Sequence, residues 1–242
     1  MKTLNNYLNE SLLDDFDDLD KSFDPKRIVK NWIKKNYKRV TLLKISDKPN
    51  KNGEYEVSAN IVIIDNRSLT SLTNDMFIWK NVGSFNCFEC ISLKSLEGAP
   101  KEVIRDFDCS YCDSLKSLEG APEKVGGDFN CSICNSLTSL EGAPKEVSRD
   151  FYCSHCDSLK SLEGAPKEVG RGFYCNNCSS LTSLEGAPKE VGGDFYCYNC
   201  SSLTSLEGAP KEVSGNFYCY DCKSLTSYEL PKETKINGKI FK

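Results

Sequence analysis

Apolar and polar positions follow one phrase that recurs every 22 residues, F-x-C-x-x-C-x-S-L-x-S-L-E-G-A-P-K-E-V. Within it, Phe195 and Cys197 alternate with Tyr196 and Tyr198, the period-two pattern of a strand with one buried face. The pattern therefore predicts a short strand in each unit, with the phenylalanine and the first cysteine pointing inward. The repeated phenylalanines are Phe85, Phe107, Phe129, Phe151, Phe173, Phe195 and Phe217.

The rest of each unit predicts a return path without a helix. Gly208, Ala209 and Pro210 interrupt regular structure, and 22 residues leave room only for an extended or 3₁₀ return after one strand. One such coil cannot bury its own apolar face, but seven stacked coils form a continuous core. We expect a β-rich solenoid with a parallel sheet on its concave face and few or no helices on the return side.

The array is expected to span residues 61–226. It opens with a degenerate unit, residues 61–72, in which Asn66 takes the place of the second cysteine. The remaining residues, 227–242, contain Ile236 to Phe241, which we interpret as a closing strand over the last open coil edge.

A small α+β N-terminal cap is predicted for residues 25–60. Pro25 suits a first helical turn, and a basic amphipathic helix is expected from there through about Tyr37. Strands over residues 40–46 and 54–65 should then form a hairpin around the turn-rich loop DKPNKNG. Residues 1–24 form a separate acidic amphipathic segment with Leu4, Leu8, Leu12, Phe16 and Leu19 on one helical face.

The phrase F-x-C-x-x-C-x-x-L-x-x-L resembles the leucine-rich-repeat consensus. It is similar to the cysteine-containing repeats of bacterial surface proteins of the BspA type, and more so to short repeats of tailed-phage and other viral proteins. The resemblance covers about two-thirds of the chain. It implies that the second cysteine occupies a structural ladder position whose side chain bonds backbone in the neighbouring coil. The ladder residues would be Asn66, Cys90, Cys112, Cys134, Cys156, Cys178, Cys200 and Cys222.

Fourteen cysteines in seven C-x-x-C pairs leave three interpretations open. Two such pairs can build a tetrahedral zinc site when loops bring them together. Seven pairs leave one pair unmatched, however, and Cys87 and its equivalents lie two residues from an inward phenylalanine. Disulfides between coils would leave an odd thiol in each column. The spacing favours a ladder of free thiols, and no cofactor or metal is expected.

Tyrosines accumulate on the outward positions of the strands in the second half of the array. Identical residues on neighbouring strands can simply stack and stabilise a sheet. A tyrosine patch is also the composition that protein interfaces favour. Because the first half carries small polar residues instead, we interpret the patch as a partner-binding surface made of Tyr152, Tyr174, Tyr196, Tyr198, Tyr218 and Tyr220.

Charge and motifs favour a binding protein over an enzyme. The net charge of −4 gives no global electrostatic case for nucleic acid, and no apolar run is long enough to span a membrane. No phosphate-binding, dinucleotide or hydrolase motif occurs, and His155 is the only histidine. The sequence thus predicts a non-enzymatic scaffold that binds a protein partner, monomeric by default and cytoplasmic because its start lacks a secretory signal.

The first residues carry a second resemblance. Met1, Lys2, Thr3, Tyr7, Leu8 and Glu10 are similar to the capsid-targeting segments of internal proteins of T4-like phages. That resemblance implies processing after Glu10 and an alternative role as a structural or packaged virion component.

Overall fold

A computed structural model of the chain describes residues 24–74 and 76–242. A helix, α1 (Pro25–Asn36), is followed by β1 (Arg39–Thr41), β2 (Lys44–Ile45), β3 (Tyr55–Ile63) and β4 (Phe77–Asn86). Fourteen two-residue strands then run to the C-terminal end. They are β5 (Glu102–Val103), β6 (Phe107–Asp108), β7 (Lys124–Val125), β8 (Phe129–Asn130), β9 (Glu146–Val147), β10 (Phe151–Tyr152), β11 (Glu168–Val169), β12 (Phe173–Tyr174), β13 (Glu190–Val191), β14 (Phe195–Tyr196), β15 (Glu212–Val213), β16 (Phe217–Tyr218), β17 (Lys235–Ile236) and β18 (Ile240–Phe241).

The repeats form a parallel β-solenoid with two strand ladders in each coil. Equivalent residues pair between neighbouring coils, as Phe173 does with Phe195 and Glu168 with Glu190. The predicted solenoid is confirmed, but the expectation of one strand per unit is wrong. The Glu-Val pair forms a second strand that is too short to show an alternating pattern in the sequence.

The interior consists of the residues that the repeat makes apolar. In the first six coils the phenylalanine, both cysteines, both leucines and the valine are almost completely buried. Neighbouring phenylalanine rings stack along the core with centroids 5.1–5.5 Å apart. Each coil therefore covers the apolar face of the next, which is how a stacked array is stabilised.

A glycine fixes the turn on the return side. Gly164 has φ +92°, and a Cβ placed there would lie 2.4 Å from the backbone nitrogen of Glu141 in the preceding coil. Only glycine combines this left-handed conformation with such a close approach of two backbones. The E-G-A-P segment is thus a stacked turn, and no helix occurs on the return side of the described coils.

The helix and the hairpin predicted for the N-terminal region are both present. Asp24 caps α1 by accepting a hydrogen bond from the Lys26 backbone nitrogen at 3.0 Å. Val29 and Ile33 of the helix are buried in the core that continues into the solenoid. Strands β1 and β2 pair antiparallel with β3, which pairs parallel with β4. The acidic segment of residues 1–23, including Glu10, lies outside the described residues.

The last strands extend the solenoid by one step. β17 and β18 pair parallel with β15 and β16, and the Phe241 ring stacks on Tyr218 with centroids 4.6 Å apart. Ile240 and Phe241 are each 40% exposed. The predicted closing strand therefore covers the preceding coil but leaves its own apolar side chains at the surface.

In the described parts of the chain, no helix has the length and apolar character needed to cross a membrane.

Candidate functional site

The second-cysteine column forms hydrogen bonds between coils. From Cys112 onward, each Sγ donates to the carbonyl of the first cysteine in the preceding coil, as Cys178 does to Cys153 at 3.2 Å. The same bond is made at 3.2–3.3 Å by Cys112, Cys134, Cys156, Cys200 and Cys222. A thiol is a weak donor, but here it satisfies a buried carbonyl that would otherwise lack a partner. This is the geometry expected of a ladder position.

Asn66 uses its side chain differently from the cysteines. Its Oδ1 accepts from the backbone nitrogen of Ser68 at 3.1 Å and from the Ser68 hydroxyl at 2.8 Å. Both bonds stay within one turn, so Asn66 does not extend the bonding pattern predicted for it. The backbone at Asn66 nevertheless follows the same turn as in the next coil. The Leu69 nitrogen donates to the Asn66 carbonyl, just as the Leu93 nitrogen donates to the Cys90 carbonyl.

Burial raises the pKa of most of the cysteine thiols and so favours their protonated form. Burial raises the pKa of Cys178 to about 12 and that of Cys90 to about 11. Metal ligation requires the thiolate, whereas these sulfurs act as donors to carbonyls. All fourteen cysteines are free and buried. Within residues 24–74 and 76–242, no group of three or more potential ligands is placed to hold a metal ion.

Four of the six predicted tyrosines form one continuous stack. The rings of Tyr152, Tyr174, Tyr196 and Tyr218 follow one another with centroids 4.5 Å apart, and Phe241 extends the stack. Tyr198 and Tyr220 form a second, shorter stack at 4.8 Å. All six side chains are half-buried. We call this surface the tyrosine face; inside each stack the rings cover one another, leaving ring edges and hydroxyls outward.

The tyrosine hydroxyls lie beside a column of acidic residues. The Tyr196 hydroxyl donates to Asp194 Oδ2 at 2.8 Å, and Tyr218 Oη accepts from Asn216 Nδ2 at 3.2 Å. Burial, and after it the charge of Asp150, raises the pKa of Tyr152 to about 12. The Tyr152 hydroxyl therefore stays protonated at neutral pH, whereas the proton of the Tyr196 hydroxyl is already donated to Asp194.

The acidic column has a structural role that the sequence did not reveal. Oδ1 of Asp106 accepts from the backbone nitrogen of Asp128, and Asp128 and Asp150 repeat the bond one coil further along, at 2.7–3.1 Å. Asp194 makes the same bond to Asn216 at 2.6 Å. Its signal in the sequence is the acidic or amide residue that precedes five of the seven repeated phenylalanines.

In two coils the second outward position is less accessible than the alternation predicts. Ser110 and Asn176 are only 3% and 7% exposed. Their polar atoms are used internally, since the Ser110 hydroxyl donates to Asp108 and Asn176 Oδ1 accepts from Ser154. Strand alternation therefore identifies the outward side, but at these positions the side chains are covered.

A polar groove of about 800 Å³ runs along the Glu-Val ladder, flanked by Glu146, Glu168, Glu190 and Glu212 with Lys145 and Lys167. Lys124 and Lys235 form ion pairs with the two ends of the glutamate column, Glu146 and Glu212. The mixed charges make this groove a polar, solvated surface.

A small apolar group near the N-terminal end was also missed. Phe88, Ile91 and Tyr111 are 36–40% exposed, and the Phe88 and Tyr111 rings meet edge to face at 5.1 Å. Later coils carry mostly polar residues at the same positions. This group adds exposed aromatic surface at the end of the array opposite the tyrosine face.

Comparisons with protein-family models, with curated proteins and with solved structures gave no match.

Proposed function

We propose that this chain is a non-enzymatic leucine-rich-repeat-like scaffold that binds a protein partner through the tyrosine face. The observation that carries the proposal is the continuous stack of half-buried tyrosines in the C-terminal half of the array. Tyrosine supplies a large contact area with a polar tip and loses little conformational freedom on binding. A stack already ordered by its neighbours reduces that loss further.

Coils without these tyrosines have the same strand pairing, so stabilisation of the sheet alone does not account for the stack. The coils of β6 and β8 carry Asp108 and Asn130 in the column where later coils carry tyrosine. They keep the same parallel register as the tyrosine coils. Three of the seven coils lack a tyrosine in this column, so the tyrosines of the other four need a further explanation, and binding of a partner supplies it.

The ring geometry favours a protein over a nucleic acid. Single-stranded nucleic acids bind by stacking bases on the open faces of aromatic rings. Inside the tyrosine stack those faces are occupied by neighbouring rings 4.5 Å away. The outward groups are ring edges, hydroxyls and the carboxylates beside them, which match the polar and cationic groups of a polypeptide.

The test compares two triple variants in affinity capture from the native cell lysate. Tyr174→Ser, Tyr196→Ser and Tyr218→Ser remove the centre of the stack. Asn86→Ser, Asp108→Ser and Asn130→Ser change the same column in the first half and serve as the matched control. Thermal melts establish that both variants remain folded.

We expect a protein that is retained by the wild type and the control variant but is lost from the tyrosine variant by at least tenfold. Such a loss corresponds to about 1.4 kcal/mol of binding free energy, a modest demand on three interface tyrosines. Equal retention by all three chains, or capture of no protein by the wild type, would overturn the proposal.

A further inference from the structure

A groove separates α1 from strand β2 at the N-terminal end of the molecule. Its volume is about 480 Å³, and it is lined by Leu43, Ile45, Asp24, Lys26, Arg27 and Lys30. Leu43 and Ile45 are partly buried and pack against the core. The groove therefore has an apolar floor and a basic rim, a combination suited to a chain that is both apolar and acidic.

The surroundings of the groove are strongly basic. Residues 24–51 contain ten lysines and arginines but only two acidic residues, Asp24 and Asp47. Both acids are engaged, since Asp24 caps the helix and Asp47 pairs with Lys26. Arg27, Lys30, Lys34 and Lys35 are exposed along the helix. No carboxylate among residues 24–74 and 76–242 forms an ion pair with these four side chains.

The chain itself contains a segment with the matching chemistry. Residues 1–23 carry six acidic side chains against two lysines. Leucine or phenylalanine occurs at residues 4, 8, 12, 16 and 19, the spacing of one apolar helical face. The acidic residues cluster from Asp14 to Asp20, close in sequence to the start of α1.

We propose that this acidic amphipathic segment docks in the groove of its own chain, with apolar side chains on Leu43 and Ile45 and carboxylates beside Arg27 and Lys30. The connection is short, because Asp24 itself lines the groove. Five extended residues span at most about 18 Å, which keeps Leu19 within reach of the floor.

Tethering favours this occupant over a separate molecule. A short linker gives a tethered segment an effective concentration on the order of millimolar, so modest affinity suffices for occupancy. A polyanion such as a nucleic acid would use the basic rim but would leave the apolar floor uncovered. The docked segment uses both, and it cancels positive charge that would otherwise stand together on one helix.

Zero-length carbodiimide crosslinking of the full chain tests this docking. The reagent joins a carboxylate to an amine only when the two are in contact, and peptide mass spectrometry locates the bond. We expect crosslinks from Asp14, Asp15, Asp17 or Asp18 to Lys30 or Lys34 in the monomer fraction. Arg27→Gln should lower their yield several-fold while leaving both lysines available, and so should 1 M salt, because screening weakens exposed ion pairs.

Lys232→Gln provides the matched control, since it removes one exposed cation beyond the last repeat and should leave the yield unchanged. Three outcomes would overturn the proposal. Crosslinks could spread over exposed lysines such as Lys51 and Lys232 without preference for α1. They could form only between copies in a mixture of isotopically distinct chains, which assigns the groove to a second copy. They could also be displaced by one equivalent of an oligonucleotide, which assigns the basic rim to nucleic acid.

Discussion

At the residue scale, one backbone position recurs with a conformation that most side chains avoid. The residue before the second cysteine has φ between 54° and 60° in all seven coils. Asn177 and Asn199 suit this left-handed conformation, whereas the β-branched side chain of Ile133 makes it costly. The apolar pattern gave no indication of this, because the position points outward and its side chain varies from coil to coil.

At Ile133 the glycine variant should be more stable than the alanine variant, the reverse of their usual order. We expect Ile133→Gly to be more stable than Ile133→Ala by about 1 kcal/mol, because glycine adopts positive φ without strain. Both variants lose the same packing of the isoleucine side chain, so their difference isolates the backbone. Denaturant unfolding measures it.

Ile91 provides the control for this comparison, since it is an exposed isoleucine two residues after the same position in its coil and has no positive φ. There the alanine variant should be the more stable one. If the alanine variant were the more stable one at both sites, backbone strain at Ile133 would be refuted.

At the scale of elements, each coil joins two parallel ladders, and an aspartate side chain forms the bond between coils where the chain passes from one ladder to the other. Gly170 and Arg171 donate to backbone carbonyls of the preceding coil, whereas the next residue, Gly172, donates to Asp150 Oδ1. The acidic column therefore stabilises the bend between the two ladders.

Removing one aspartate should weaken this bend measurably. Asp150 Oδ1 accepts from the Gly172 nitrogen at 2.7 Å. Asp150→Ala should lower the free energy of unfolding by about 1–3 kcal/mol, because it leaves a half-buried donor without its acceptor. Asp150→Asn keeps an acceptor of the same shape, as Asn216 does naturally for Lys239, and should retain most of the stability. Equal losses in the two variants would point to charge rather than to this hydrogen bond.

The strands and turns also show which parts of the structure the sequence pattern could predict and which it could not. A strict 22-residue period with inward Phe, Cys, Leu and Val was enough to predict a stacked solenoid, because such residues can be buried only by neighbouring coils. The helix from Pro25 and its hairpin followed from equally local signals. The Glu-Val strand spans two residues and shows no period. The tyrosine columns follow from the 22-residue period, whereas the ring spacing and the Asp150 hydrogen bond depend on contacts between coils that the period does not specify.

At the scale of the whole molecule, the stability of every coil depends on its buried cysteines remaining protonated. All fourteen are buried, and their thiols donate to carbonyls or pack against one another along the core. A thiolate in any coil would place an uncompensated charge in an interior shared with its neighbours, which is costly in a medium of low polarity. The array is thus built for conditions in which thiols keep their protons.

Alkaline pH should consequently unfold the solenoid. Burial raises the pKa of Cys178 from 9.0 to about 12 and that of Cys219 to about 11. Above about pH 9 the unfolded chain therefore loses thiol protons that the folded chain keeps, so its stability is complete below that pH and declines as pH rises toward 11–12. Each affected thiol contributes a slope of about 1.4 kcal/mol per pH unit.

Urea midpoints between pH 7 and 11, with alkylation of the native protein followed by mass spectrometry, measure both consequences. Fewer than one of the fourteen thiols should react at pH 7, and all should react in denaturant, because only the exposed thiolate is nucleophilic. Cys178→Ala should be less stable at pH 7 but should show a pH slope smaller by about one proton, since one shifted thiol is gone. Rapid labelling of the native chain, or a urea midpoint that stays constant up to pH 11, would show that the sulfurs do not face a shared dry interior. Such a result would remove the physical basis of the stacked coils, because the cysteine columns supply two of the six inward positions in every repeat.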